Sequence, residues 1–147
     1  MPDFMKIALE EAKNAADRGE VPVGAVMVNE KGEILAQSGN ETEALADPTA
    51  HAEMQVIRKV AVLRHSPRLP DCDLYVTLEP CAMCAAAISF ARVRRVIFGA
   101  YDPKGGGVEH GGRFFQQPTC HHAPEVIGGV EETASAKLLQ DFFQSRR

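Results

Sequence analysis

Strand-like and helix-like stretches alternate along the chain, and that alternation predicts a layered α/β domain. Two further observations agree. At 147 residues the chain suits one domain, residues 1–147, able to bury roughly 68–70% of the surface its unfolded form exposes. The segment Glu79-Pro80-Cys81 follows directly on an apolar run, Leu74 to Leu78, and ligand sites in open α/β sheets gather at such strand ends.

Taken in order, Pro2 to Arg18 reads as a helix, because Phe4, Ile7, Ala8, Glu11, Ala12 and Ala15 form a mostly apolar helical stripe that Gly19 closes. Val23 to Val28 is a short apolar run; Asn29-Glu30-Lys31-Gly32 turns the chain and Ile34 to Gln37 returns it, a hairpin pattern. A polar loop runs from Gly39 to Asp47. Thr49 to Leu63 reads as the second helix, with Ala50, Met54, Ile57 and Ala61 on its buried side and Thr49 as its N-terminal cap. His65, in a loop with Pro67 and Pro70, reads as structural. Leu74 to Leu78 is a third strand, Cys81 to Phe90 an alanine-rich helix, and Arg95 to Ala100 a fourth strand. Tyr101 to Cys120 lacks periodicity, and Gly105-Gly106-Gly107 and Gly111-Gly112 predict a mobile or tightly turned region with substrate-facing potential. No Gly-Lys-Ser/Thr follows those glycines, which rejects a phosphate loop. Glu125 to Ile127 reads as a fifth strand, and Leu138, Leu139, Phe142 and Phe143 mark the apolar stripe of a closing helix.

Composition excludes several classes. Net charge is −4, with 16 basic against 20 acidic residues, so the chain is no generic nucleic-acid binder coated in cations. Local clusters survive that argument: Arg92, Arg94 and Arg95; Lys104 and Arg113; Arg146-Arg147. Each alone reads as solvated surface charge. Cys72, Cys81, Cys84 and Cys120 do not make a disulfide framework, and Met1-Pro2-Asp3-Phe4-Met5-Lys6 has neither a basic leader nor a long apolar run. A reduced cytoplasm and no membrane span are expected.

The chemistry sits in two short words, His51-Ala52-Glu53 and Pro80-Cys81-Ala82-Met83-Cys84. Two cysteines three apart share one helical face, and a helix start lowers thiol pKa through its positive dipole end, so thiolates form there readily. Pro80 suits the first helical position, where its missing N–H costs nothing. With His51 these supply three zinc ligands, leaving one tetrahedral corner for water whose pKa zinc lowers toward ~7. Hydroxide is then available near neutrality, and a carboxylate beside it, Glu53, can carry protons to a ring nitrogen and a departing amine. Positions 51 and 53 do not share a face of a regular helix, so both reach one pocket only from an opening turn.

His-x-Glu followed by Pro-Cys-x-x-Cys is the pattern of the zinc-dependent nucleobase deaminases, the cytidine/deoxycytidylate deaminase superfamily, which this chain resembles. More narrowly it resembles bacterial tRNA adenosine deaminases of the TadA type, through Glu20 to Val26, Asp47 to Glu53, Leu74 to Cys81 and Asp141-Phe142-Phe143. The resemblance implies a three-layer α/β/α cytidine-deaminase-like fold with a central mixed sheet of about five strands. It implies hydrolytic deamination of adenosine to inosine at the wobble position of a tRNA anticodon, one Zn2+ per subunit held by His51, Cys81 and Cys84, and Glu53 as proton shuttle. A single-stranded loop is a sensible target, since its bases turn out without breaking pairs. It also implies a homodimer whose partner subunit adds to the RNA surface. Asn40, which by composition reads as a turn residue, becomes a substrate contact by resemblance. Phe143, otherwise core, becomes a candidate contact to the anticodon loop.

Other readings remain open at this level. The metal centre does not encode the substrate, so a deaminase of a free base or nucleoside such as guanine or cytosine stands as the alternative. A structural zinc module would need a fourth protein ligand, with Cys72 or Cys120 as candidates, and a thiol redox site would use Cys81 and Cys84 alone. Cys120-His121-His122 could pass for a metal cluster but reads better as loop.

Overall fold

A computed structural model describes residues 3–146. The expected helix start at Pro2 and the last residue of the tail, Arg147, lie outside the described residues. The chain runs α1 (Phe4–Asp17), β1 (Gly24–Val28), β2 (Ile34–Gly39), α2 (Ala52–Arg64), β3 (Asp73–Leu78), α3 (Ala82–Phe90), β4 (Arg95–Ala100), a 3-10 turn (Phe114–Gln116), β5 (Glu125–Ile127) and α4 (Glu132–Gln144). The five strands form one mixed sheet in the order β2-β1-β3-β4-β5. β1 is antiparallel to β2 and β3, while β3, β4 and β5 run parallel. The layered α/β prediction, its mixed sheet and its five strands are all present.

Period-two alternation divides the core into two layers. Ala25, Met27, Leu74, Val76, Val96 and Phe98 face α2 and α3 in one cluster. Their neighbours Val26, Val28 and Ile97 face α1 in the other, with Tyr75 and Leu138 of α4 packed against it. Fully burying a side chain such as Phe98 or Leu74 contributes about 1.5–3 kcal/mol, so the sheet is sealed mainly by these contacts. α1 approaches unusually closely. Gly24 and Gly39 are register partners, and a Cβ would come within 2.0 Å of the Ala8 carbonyl oxygen at Gly24 and 2.8 Å of that of Glu11 at Gly39. The alanines at 8, 12 and 15 complete that contact.

Three details of the sequence reading change. α2 begins at Ala52, and Thr49 bonds Asp47 rather than capping it; the Asn40 side-chain oxygen takes the Ala52 N–H at 2.8 Å. The buried face of α2 is Ala52, Glu53, Val56, Ile57 and Val60, with Met54 and Ala61 only half-buried, so the helix is rotated from the expected stripe and Glu53 lies on its inner side. Arg94 and Arg95 are not free surface charges. Both guanidinium groups donate to the buried Asp73 carboxylate, at 2.7–2.9 Å. That cluster lines a cavity of about 260 Å³ where β3 and β4 begin. Among the described residues no helix is long and apolar enough to cross a membrane.

Candidate active site

Strand directions decide where the site lies. β2 and β3 are both antiparallel to β1, so the ends of β2, β3 and β4 share one edge of the sheet with the segment entering β1. A cavity of about 300 Å³ opens there, lined by Val21 and Val23 before β1, Asn40 and Thr42 after β2, Leu78, Glu79 and Cys81 after β3, and Asp102 and Gly105 after β4. His51 and Glu53 enter it from the start of α2. This is the strand-end location expected for a ligand in an open α/β sheet.

Both reactive words sit at helix starts. His51 is the N-cap residue of α2 and Cys81 that of α3, with extended backbone at each, so Pro80 precedes the cap instead of opening the helix. Placing His51 just outside α2 and Glu53 in its first turn resolves the spacing problem of a pair two apart. His51 Nδ1 lies 3.7 Å from Cys81 Sγ and 3.6 Å from Cys84 Sγ. A tetrahedral zinc bound at its usual ~2.3 Å to sulfur and ~2.0 Å to nitrogen needs sulfur–nitrogen edges of about 3.6 Å. The three donors, all within 4.8 Å of one another, fit that ion.

The three donors are close enough to share protons. The Cys81 thiol is lowered to about 4, first by the hydrogen bond from Cys84 and then by that from His51, despite burial. The Cys84 thiol is raised, because it holds the proton it shares with Cys81 and is buried. His51 is raised, chiefly by its bond to Cys81. Glu53 is buried, and burial pushes its carboxyl up to about 7, where a group both takes and gives protons near neutrality.

The other candidates separate. Among the described residues no fourth protein donor joins His51, Cys81 and Cys84, so the closed structural zinc site fails. Cys72 is buried elsewhere beside Asp71, its thiol pushed up to about 11 by burial. Cys120 faces Ser89, and the His122 ring bonds the Val93 carbonyl oxygen, so that trio is loop structure as expected. Cys81 and Cys84 are unbridged thiols turned toward His51. His65 is the exposed, left-handed C-cap of α2. Asn40 is buried at the cavity with its Oδ1 committed to α2. Phe143 is half exposed on α4 and lines an adjoining cavity of about 430 Å³ with Tyr101, Lys104 and Leu139; this cavity shares Val21, Leu78, Asp102 and Gly105 with the first. Phe142, by contrast, is core.

Sequence reasoning missed two buried carboxylates at this edge. Glu20 accepts from the backbone N–H groups of Glu43 and Ala44 and from the Thr42 hydroxyl, holding the loop after β2. Glu79 accepts from the backbone N–H groups of Asp102, Val108, Glu109 and His110, holding the loop after β4. The glycine-rich region is therefore tightly tied. The available signal was an acid directly beside each motif, before Val21-Pro22-Val23-Gly24 and before Pro80-Cys81.

Comparison with known proteins gives a consistent picture. Residues 2–100 match the model of the cytidine and deoxycytidylate deaminase zinc-binding region. The chain is 59% identical over 144 residues to a tRNA-specific adenosine deaminase of Agrobacterium fabrum (strain C58), covering 98% of this chain and 94% of that protein. A solved structure from studies of A-to-I editing by tRNA:A34 deaminases at the wobble position of transfer RNA superposes with a TM-score of 0.91 at 60% identity, covering 92% of this chain and 98% of that one. A guanine deaminase from Bacillus subtilis superposes less well, with a TM-score of 0.66 at 31% identity, covering 97% of this chain and 91% of that one.

Proposed function

The chain belongs to the cytidine and deoxycytidylate deaminase zinc-binding family and, within it, to the tRNA-specific adenosine deaminases, and from that premise we propose the following reading. It is a hydrolase that converts adenosine to inosine at the wobble position of a tRNA anticodon. The observation that carries this is the convergence of His51, Cys81, Cys84 and the buried Glu53 on one cavity. His51, Cys81 and Cys84 would hold one zinc per chain, and the ion would supply a nucleophile at neutral pH by lowering the pKa of water there. Glu53 takes one proton from the attacking water and gives it to N1 of the adenine ring, then takes the second from the hydroxyl now on C6 and gives it to the amine leaving that carbon, and so ends as it began. Asn40 orients the nucleoside through its amide Nδ2, since its Oδ1 is occupied by α2. Phe143, beside the adjoining cavity, stacks on a base of the loop.

Residues 1–147 act as one deaminase domain in a reducing cytoplasm, consistent with four unbridged thiols. They pair as a homodimer: Val62, Leu63 and Phe90 stay 74%, 62% and 72% exposed at the C-terminal ends of α2 and α3, an apolar surface that a second copy would cover. Light scattering at micromolar concentration reads this, and a monomer there removes the dimer.

The deciding experiment compares ammonia release from an anticodon stem-loop bearing wobble adenosine with release from free adenosine, guanine and cytosine. Release from the stem-loop alone is expected, and Phe143→Ala and Asn40→Ala should raise its KM. Comparable turnover of free guanine would replace this reading with the base-deaminase alternative. Metal analysis should give one zinc per chain.

A further inference from the structure

We propose that Glu79 is a positioning residue that fixes the 102–110 loop as a wall of the reaction cavity, in register with the Cys81 turn, and thereby sets how tightly the anticodon loop is held. The proposal rests on the deaminase reading above. Glu79 is 2% exposed, and its two oxygens gather both ends of the loop. Oε1 accepts the Asp102 N–H at 3.0 Å and faces the His110 ring Nδ1 at 2.8 Å. Oε2 accepts the N–H groups of Val108, Glu109 and His110 at 3.2, 2.9 and 3.1 Å. A carboxylate offers about four lone-pair sites, so these partners saturate it and leave none for a substrate proton. Its role is therefore exerted through the loop.

The glycines explain how the loop lies so close. A Cβ on Gly106 would come within 2.3 Å of Glu79 Oε2, and one on Gly107 within 2.6 Å of the Ala82 nitrogen. The Gly107 N–H also donates to the Pro80 carbonyl oxygen at 2.8 Å. The loop thus rests against the turn that carries Cys81. Its residues Asp102 and Gly105 line the reaction cavity, and Tyr101 and Lys104 the adjoining one. No helix or strand spans 101–110, so the hydrogen bonds to Glu79 replace a regular ladder. Without them substrate must order the loop as it binds, which lowers apparent affinity by the fraction of molecules already in the competent form.

Two variants test this, Glu79→Gln, which keeps one acceptor oxygen, and Gly106→Ala, which pushes the loop away while Glu79 stays. Zinc content, melting temperature, amide hydrogen exchange over 102–110, and kcat and KM on the stem-loop are read for both. Both should keep zinc, exchange faster over 102–110, and show a KM about tenfold higher with kcat within about threefold of the parent. A fall in kcat at unchanged KM, or loss of zinc with no change in loop exchange, overturns the proposal. If the parent protein released no ammonia from the stem-loop, the deaminase reading would fail. Unaltered loop exchange in both variants would instead sink the role of Glu79.

Discussion

Glu53 and Glu79 are both shut away from water at the same cavity, yet their carboxyl groups are driven in opposite directions. Burial pushes Glu53 up to about 7, helped by the charge on Cys81 and countered by its own backbone N–H, by His51 and by the Cys84 thiol. Burial pushes Glu79 up as well, but the N–H of Asp102, the His110 ring, and the N–H groups of Glu109 and Val108 outweigh it and hold the group below its usual value. Desolvation is common to both; the supply of donors, with the Cys81 charge beside Glu53, separates them. A buried acid short of donors is free to exchange a proton, whereas one saturated with them has its charged form favoured and organises backbone. Chemistry and architecture at this edge of the sheet are thus assigned by hydrogen bonding, not by depth.

The widest test of that division is Glu53→Gln. Turnover on the stem-loop should fall by about 10²–10⁴, the usual contribution of a general acid/base, with zinc content and melting temperature kept. Ammonia release at the parent rate would end the role given to Glu53. Glu79→Ala should show the opposite profile. Each buried donor left without an acceptor costs about 1–3 kcal/mol, and water can reach some of them, so a loss of about 3 kcal/mol in urea unfolding is expected. A variant as stable as the parent would mean that the loop does not depend on its anchor.

That contrast also marks what could be read from the sequence. Zinc chemistry restricts its ligands to few residue types, so His51, Cys81 and Cys84, with Glu53 as the acid beside them, were legible in two local words. The apolar runs of β1, β3 and β4 were equally local, and the strands fell where expected. What escaped depends on partners distant in the chain. The side-chain acceptor at the start of α2 is Asn40, twelve residues before Ala52, in place of the nearer Thr49. Glu79 meets residues 23 to 31 positions onward, so only the structure decides between the mobile and the tightly turned alternatives for the glycine-rich stretch. Arg94 and Arg95 meet Asp73 across the β3–β4 pairing. For α2 the predicted stripe holds at Ala50 and Ile57, while Ala52, Val56 and Val60 supply the rest of the buried apolar face in place of Met54 and Ala61.

Glu20 sharpens the scale between the two extremes. It holds the loop after β2 with fewer donors than Glu79 commands, and burial is again outweighed, leaving its carboxyl lowered. Glu20→Ala should cost about 1–3 kcal/mol in urea unfolding, less than Glu79→Ala, and hydrogen exchange should quicken at residues 42–44 while 102–110 stays protected. Equal losses for the two variants would argue that donor number does not set anchoring strength.

Asp73 removes the cavity from the comparison altogether, because it lies where β3 begins, at the opposite edge of the sheet. Burial raises its carboxyl, but Arg94 and Arg95 hold it below the ordinary value. Both guanidinium groups are more than a third exposed, so solvent screens the pair and Asp73→Asn should be the mildest of these variants. The sign of its pH dependence follows from the direction of the shift. A carboxyl whose folded pKa lies below its unfolded value near 3.9 stabilises the fold above that value and loses the contribution as pH falls through the folded one. The gap in urea midpoint between parent and Asp73→Asn should therefore be full at pH 7 and close below about pH 4, with kcat/KM on the stem-loop unchanged. A gap that stayed open at low pH would assign the Asp73 contribution to shape instead of charge, and reduced kcat/KM would couple the two edges of the sheet.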